Sequence, residues 1–155
     1  MNDLDFPVEK LINAALAARE RAYAPYSGFK VGAAILTRDG RYYTGCNIEN
    51  ASYGLTCCAE RVALFKAVSN GEKEFAAIAV AAGTEEFCSP CGACRQVLAE
   101  FGGQIKVYMA GARGQYRVKT VAELLPDAFG ISVPDKKEGE PPEKKFSKLI
   151  EPVTR

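Results

Sequence analysis

The sequence of 155 residues contains no histidine. This absence excludes Ser-His-Asp and Cys-His nucleophile systems, and it excludes zinc sites of the H-E-x-x-H type. Any zinc ion must therefore be held by thiolates or carboxylates. Any proton shuttle must be a carboxylate, a lysine, a tyrosine or a cysteine.

Long apolar runs and an excess of one charge are also missing. The longest apolar run, residues 75–82, is far too short to cross a bilayer. The formal net charge of +1 argues against a nucleic-acid partner, because phosphate binding needs clustered lysine and arginine. The N-terminus is acidic and lacks the charge pattern of a secretory signal. We therefore expect a cytoplasmic protein without a membrane or nucleic-acid partner.

What is present suits one globular domain, with 48 % apolar and 25 % charged residues. A first helix is predicted from Asp5, as its cap, to a point before Pro25. The later pattern predicts strands at 30–37, 41–47, 75–82, 104–110 and 116–119, and helices at 57–70, 91–101 and 121–125. This order predicts an α/β fold with three layers, α-β-α, around a mixed five-stranded sheet.

The C-terminal end differs in composition from the rest. Residues 135–145 are rich in lysine, glutamate and proline and contain no aliphatic residue, which is typical of a solvated segment. We expect a charged tail over residues 134–155. Within it, Phe146, Leu149 and Ile150 have the spacing of a short helix that docks on the domain.

Six cysteines in a cytoplasmic protein suggest metal or redox chemistry, because disulfides are rare there. Cys91 and Cys94 lie three apart at the start of a predicted helix and share one face. A helix from Cys58 to Asn70 runs about 20 Å away from its start, and the strand at 75–82 runs about 26 Å back. Three thiols are therefore predicted to meet at helix N-termini, which lower thiol pKa values.

Three protein ligands leave one position open, as in catalytic zinc sites, whereas structural zinc usually has four. Candidates for a fourth ligand are Cys88, Cys57 and Cys46. Cys88 precedes the helix, Cys57 points away from its neighbour Cys58, and Cys46 is expected to be a small core residue of a strand. A structural zinc site and a thioredoxin-type redox pair remain alternatives. An iron–sulfur run lacks its fourth cysteine, since Leu98 stands there.

The cysteine segments carry a family resemblance. Two segments together resemble the zinc signature of cytidine deaminases: Cys58-Ala59-Glu60-Arg61 and, further along the chain, Pro90-Cys91-Gly92-Ala93-Cys94-Arg95-Gln96. The closest resemblance is to the short-chain, homotetrameric family with a three-cysteine site. Residues 26–34, 47–53 and 124–129 match the same family, so the resemblance runs from Val8 to Gly130.

The resemblance implies zinc-dependent hydrolytic deamination of cytidine and 2′-deoxycytidine to uridine and 2′-deoxyuridine plus ammonia, in pyrimidine salvage. It implies a catalytic domain over residues 1–133 and a homotetramer with shared sites. One zinc ion per chain would be bound by Cys58, Cys91 and Cys94, and Glu60 would shuttle protons. The implied substrate contacts are Phe29 on the pyrimidine, Asn47 and Glu49 on the ribose, the backbone of Ala59 on the base, and Tyr53 and Phe129 from subunit interfaces.

The chemistry explains why these groups would be needed. Zinc lowers the pKa of its water from about 15.7 toward about 7, but three thiolates weaken that effect. Arg61 could offset this by donating hydrogen bonds to thiolate sulfur. A glutamate in a first helical turn is more often a helix-dipole residue than a catalyst, but the adjacent thiols favour a catalytic Glu60. Asn47 and Glu49 would share one face of a strand, which suits a diol.

Rival functions are a related aminohydrolase acting on another cytosine-bearing compound such as blasticidin S, and a non-catalytic structural-zinc module. Polynucleotide editing is disfavoured by the near-neutral charge.

Overall fold

The computed structural model describes residues 6–130. The predicted tail at 134–155, its docking helix and the Asp5 cap lie outside these residues. The α-helices are α1 (Val8–Arg19), α2 (Ala59–Ser69), α3 (Gly92–Ala99) and α4 (Val121–Leu124). The strands are β1 (Val31–Thr37), β2 (Tyr42–Cys46), β3 (Phe75–Ala82), β4 (Lys106–Ala110) and β5 (Tyr116–Thr120), and a 3₁₀ turn spans Tyr53–Leu55.

The five strands form one mixed sheet in the order β2-β1-β3-β4-β5. β1 pairs antiparallel with both β2 and β3, β3 pairs parallel with β4, and β4 pairs antiparallel with β5. The predicted hairpin, the mixed five-stranded sheet and the buried strand at 75–82 are confirmed. Cys46 ends the edge strand β2 and is half-buried. The expectation that it is a core residue was therefore wrong, because an edge strand has a neighbour on one side only.

Apolar layers cover both faces of the sheet. On one face, the buried side of α1 (Val8, Leu11, Ile12 and Ala15) packs against the alanine-rich surface of β1 and β3. On the other face, α2 packs through Ala63, Leu64 and Ala67, and α3 through Leu98. The α-β-α arrangement is thus confirmed. Within residues 6–130, no helix is both long and apolar enough to cross a membrane.

The topology brings the starts of two helices to one end of the sheet. Helix α2 leads into β3, and β3 leads through a loop into α3, as the lengths of these elements predicted. The predicted helix bounds at 57 and 91 were slightly early, because Cys58 and Cys91 are the N-cap residues of α2 and α3. Both have extended backbone angles, with ψ of 154° and 167°, as N-cap residues usually do.

Candidate active site

Three thiols meet between the starts of α2 and α3. The sulfurs of Cys58 and Cys91 lie 3.8 Å apart, and those of Cys91 and Cys94 lie 3.6 Å apart. All three sulfurs lie within 4.8 Å of one another. Cys94 is buried in the first turn of α3, whereas Cys91 is exposed. The predicted convergence of the three thiols is therefore found in the structure.

The spacing of these sulfurs fits a zinc ion. Zinc–sulfur bonds of about 2.3 Å in a tetrahedron place the sulfurs about 3.8 Å apart, close to the two distances given above. No other group of three or more potential ligands within 4.8 Å occurs among residues 6–130. Three thiolates around a tetrahedral ion leave one coordination position for water or substrate, which is the arrangement of catalytic zinc.

The remaining cysteines do not belong to the triad. Burial raises the pKa of the Cys57 thiol, and it raises the pKa of the Cys88 thiol to about 12. Both groups are therefore held in the neutral form, which is a poor metal ligand. Cys46, at the end of β2, is not among the sulfurs that lie within 4.8 Å of one another.

Of the three thiols, Cys58 is the one whose surroundings favour the negatively charged thiolate. Hydrogen bonding from the Cys94 thiol, together with Arg61 and Cys91, lowers the pKa of Cys58 to about 5. The Nη2 atom of Arg61 lies 3.6 Å from the Cys58 sulfur and also donates to the carbonyl of Thr56 at 3.3 Å. A guanidinium held at this position draws electron density from the thiolate, as the sequence suggested.

Glu60 lies in the first turn of α2, two residues after Cys58, and is only 5 % exposed. Burial raises the pKa of Glu60 to about 7, and the nearby Cys58 charge acts in the same direction. A carboxyl group with a pKa near neutrality can both accept and release a proton, as a general acid–base catalyst must. This burial separates Glu60 from an ordinary helix-dipole glutamate, which stays in contact with solvent.

Asn47 and Glu49 lie beyond the end of β2 at Cys46. The residue between them, Ile48, pairs through two backbone hydrogen bonds with Cys57, which directly precedes the triad residue Cys58. Asn47 is buried, and its side chain accepts from the Val31 N–H at 2.9 Å and donates to the Phe29 carbonyl at 2.8 Å. Asn47 therefore fixes the backbone of the loop that carries Phe29.

Glu49 binds the start of the same loop. Its carboxylate accepts hydrogen bonds from the N–H groups of Tyr26 and Ser27 at 3.0 and 3.1 Å, and from the Ser27 hydroxyl at 2.5 Å. These bonds, chiefly those from Ser27, lower the pKa of Glu49. A carboxylate offers about four acceptor positions, so one remains for a ligand hydroxyl.

The aromatic candidates stand at the surface. Phe29 is 49 %, Tyr53 73 % and Phe129 77 % exposed. Tyr53 packs edge-on against Tyr26, with ring centroids 5.8 Å apart. Exposed apolar side chains that lie together, as Tyr26 and Tyr53 do, can mark an interface or a binding site. Within a single chain, therefore, much of the surface of each of these three rings is in contact with solvent.

Sequence reasoning assigned no contact to two pairs of residues that lie inside the segments matching the family. Tyr26 and Ser27 hold Glu49 through their N–H groups and the Ser27 hydroxyl. Arg95 and Gln96 reach across to the segment that ends at Phe129. Their contacts join residues about 30 positions apart, which no local pattern reveals.

Comparison with known proteins agrees with this geometry. The family model "Cytidine and deoxycytidylate deaminase zinc-binding region" matches residues 7–110. Cytidine deaminase from Sporosarcina psychrophila is 58 % identical over 123 residues, covering 79 % of this chain and 90 % of that protein. The crystal structure of cytidine deaminase from Burkholderia pseudomallei matches with a TM-score of 0.77 at 55 % identity, covering 80 % of this chain and 100 % of that one. That from Mycobacterium tuberculosis matches with a TM-score of 0.73 at 42 % identity, covering 82 % and 100 %.

Proposed function

The chain belongs to the cytidine and deoxycytidylate deaminase family, and from this premise we propose that it hydrolyses cytidine and 2′-deoxycytidine to uridine and 2′-deoxyuridine plus ammonia. The observation that carries this proposal is the buried carboxyl group of Glu60 beside three converging thiols. A three-thiol zinc site with an open position and an adjacent general acid–base residue is what hydrolytic deamination needs.

Cys58, Cys91 and Cys94 would hold the zinc ion. When bound, zinc supplies a water of lowered pKa and positive charge next to the reacting carbon. Arg61 limits the negative charge of the three sulfurs through its contact with Cys58.

Glu60 moves the protons. Its carboxylate accepts one from the attacking water and delivers it to N3 of the cytosine ring. It takes the second proton of that water and passes it to the departing 4-amino group, so that water and cytidine become uridine and ammonia. Burial of Glu60 excludes bulk water from these transfers.

The residues around the three thiols would bind the substrate. We infer that the pyrimidine packs on Phe29 and contacts the backbone of Ala59, and that the free acceptor position of Glu49 binds a ribose hydroxyl. Asn47 contributes by holding the Phe29 loop and by its remaining N–H.

We further infer a homotetramer in which Tyr53 and Phe129 complete a neighbouring subunit's site. The high exposure of both rings in one chain supports this arrangement, and closed symmetry such as D₂ is common among tetramers. A cytoplasmic location is supported by the six cysteines, all of which are free thiols.

The test compares wild type with Glu60→Gln. This isosteric change removes the proton-transfer group and leaves the thiols in place. We expect zinc content to stay at one ion per chain while kcat for cytidine falls about 10²–10⁴-fold or more. Elemental analysis gives the zinc content, and the loss of cytidine absorbance gives the rate. Near-normal turnover by Glu60→Gln would show that Glu60 is a helix-dipole residue and not the proton shuttle.

A further inference from the structure

Arg95 joins a segment that precedes α3 in the sequence to a segment that follows it. It follows Cys94 in the sequence, and its side chain is half-buried. Its Nε donates to the Pro90 carbonyl at 2.9 Å, and its Nη2 donates to the Ser89 hydroxyl at 3.0 Å. Its Nη1 donates to the carbonyl of Leu124 at 2.8 Å. One guanidinium therefore holds both the loop that enters Cys91 and the end of α4.

The acceptors explain why an arginine is needed here. Ser89 and Pro90 directly precede the metal-binding Cys91, and Pro90 is fully buried. Leu124 ends α4, and the last carbonyls of a helix have no intrahelical partner. A planar fork of five donors can reach three oxygens at once, whereas a lysine ammonium is a point charge on a flexible stem.

Gln96 extends the same connection. Its Nε2 donates to the Phe129 carbonyl at 2.9 Å. Two consecutive residues of α3 therefore hold the segment 124–129 at both ends. Between them the chain turns sharply at Asp127, a non-glycine residue with a positive φ of 52°. The position of Phe129 is thus set from α3.

We propose that Arg95 is a positioning residue that couples the metal loop at Cys91 to the segment carrying Phe129. Through Ser89 and Pro90 it holds Cys91 in ligand geometry, and through Leu124 it holds the base of the segment that presents Phe129. The role of Phe129 rests on the proposed function, whereas the effect on the metal loop does not.

The experiment measures zinc release from the zinc-loaded protein to a chelating dye, and KM and kcat for cytidine. Losing a residue that orients a metal ligand usually costs about 10–100-fold in metal affinity. We expect this loss in Arg95→Met to show as zinc release about 10–100-fold faster, together with a raised KM. Ser89→Ala should speed zinc release without raising KM. Gln96→Met should raise KM without changing zinc release.

A matched control is Arg41→Met, which removes a guanidinium from the β1–β2 turn at the opposite end of the sheet, where it pairs with Asp39. It should release zinc at the wild-type rate. Guanidinium ion added to Arg95→Ala should slow zinc release towards the wild-type rate, and ammonium ion should not. A general loss of stability would not be corrected in this selective way.

If Arg95→Met releases zinc at the same rate as wild type, the proposal is overturned. Should that variant not fold, Arg95→Lys and Ser89→Ala decide in its place, and unchanged zinc release in both would overturn it equally. If zinc-loaded wild type does not turn over cytidine but Arg95→Met still releases zinc faster than wild type, the metal-loop role of Arg95 is supported and the proposed function is refuted. The two failures are therefore distinguishable.

Discussion

Gly45 is the place where strand β2 touches the first turns of helix α2, and it allows a sharp test of how the site is held. A Cβ added there would meet the backbone nitrogen of Ala63 and would lie 2.6 Å from the carbonyl oxygen of Ala59. Ordinary van der Waals contact begins at 3.4 Å. In Gly45→Ala, α2 must therefore retreat by about 1 Å to restore ordinary contact.

This retreat moves the residues that flank Ala59, namely Cys58 and Glu60. A misplacement of about 1 Å can cost about 10²-fold in rate, so we expect kcat/KM of Gly45→Ala to fall by about that factor. Overpacking of a core contact also costs about 1–3 kcal/mol in the free energy of unfolding. For a chain of this size, that corresponds to a fall in Tm of about 2–12 °C.

Gly32→Ala is the matched control. Its Cβ would collide with the backbone of α1 at Ala15 and Arg19, and α1 carries none of the candidate catalytic residues. We expect a comparable fall in Tm with kcat/KM within a few-fold of wild type. Thermal unfolding and steady-state kinetics on both variants provide the comparison. Equal losses of activity in the two variants, or full activity in Gly45→Ala, would refute the reasoning.

Three further predictions concern the metal, the sugar and the neighbouring subunit. Cys91→Ala should lose zinc and activity together, as measured by elemental analysis and by cytidine turnover; an active protein without zinc would rule out the metal site. Glu49→Ala should lower kcat/KM for cytidine about 10-fold or more, because the N–H of Tyr26 and the hydroxyl of Ser27 also lose their acceptor. An unchanged kcat/KM would show that Glu49 does not bind the substrate. Light scattering should give about four times the 16.7 kDa chain mass, and Phe129→Ala should raise KM while keeping zinc; a fully active monomer at high dilution would contradict shared sites.

The thiol triad could be predicted from the sequence because it depends on lengths. The rise per residue of a helix and of a strand is nearly constant, so α2 and β3 return the chain to its starting end. The spacing of Cys91 and Cys94 then needs only the periodicity of α3. Local geometry of this kind is fixed by the backbone and varies little between proteins.

Other features of the site depend on side chains that cross between distant segments. The bonds of Arg95 to Leu124 and of Gln96 to Phe129 span 29 and 33 residues. The half-burial of Cys46 follows from the place of β2 at the sheet edge. Strand order and long-range side-chain contacts arise from tertiary packing, so periodicity and spacing could not have identified them.

The most direct measurement is the absorbance of cytidine over time in the presence of the purified protein, before and after removal of zinc with a chelator. If the chain is a zinc-dependent cytidine deaminase, the absorbance falls as uridine forms, the reaction stops in the chelated protein, and one equivalent of zinc per chain restores it. A zinc-loaded protein that leaves the cytidine spectrum unchanged, or a chelated protein that converts cytidine at the original rate, would contradict this function.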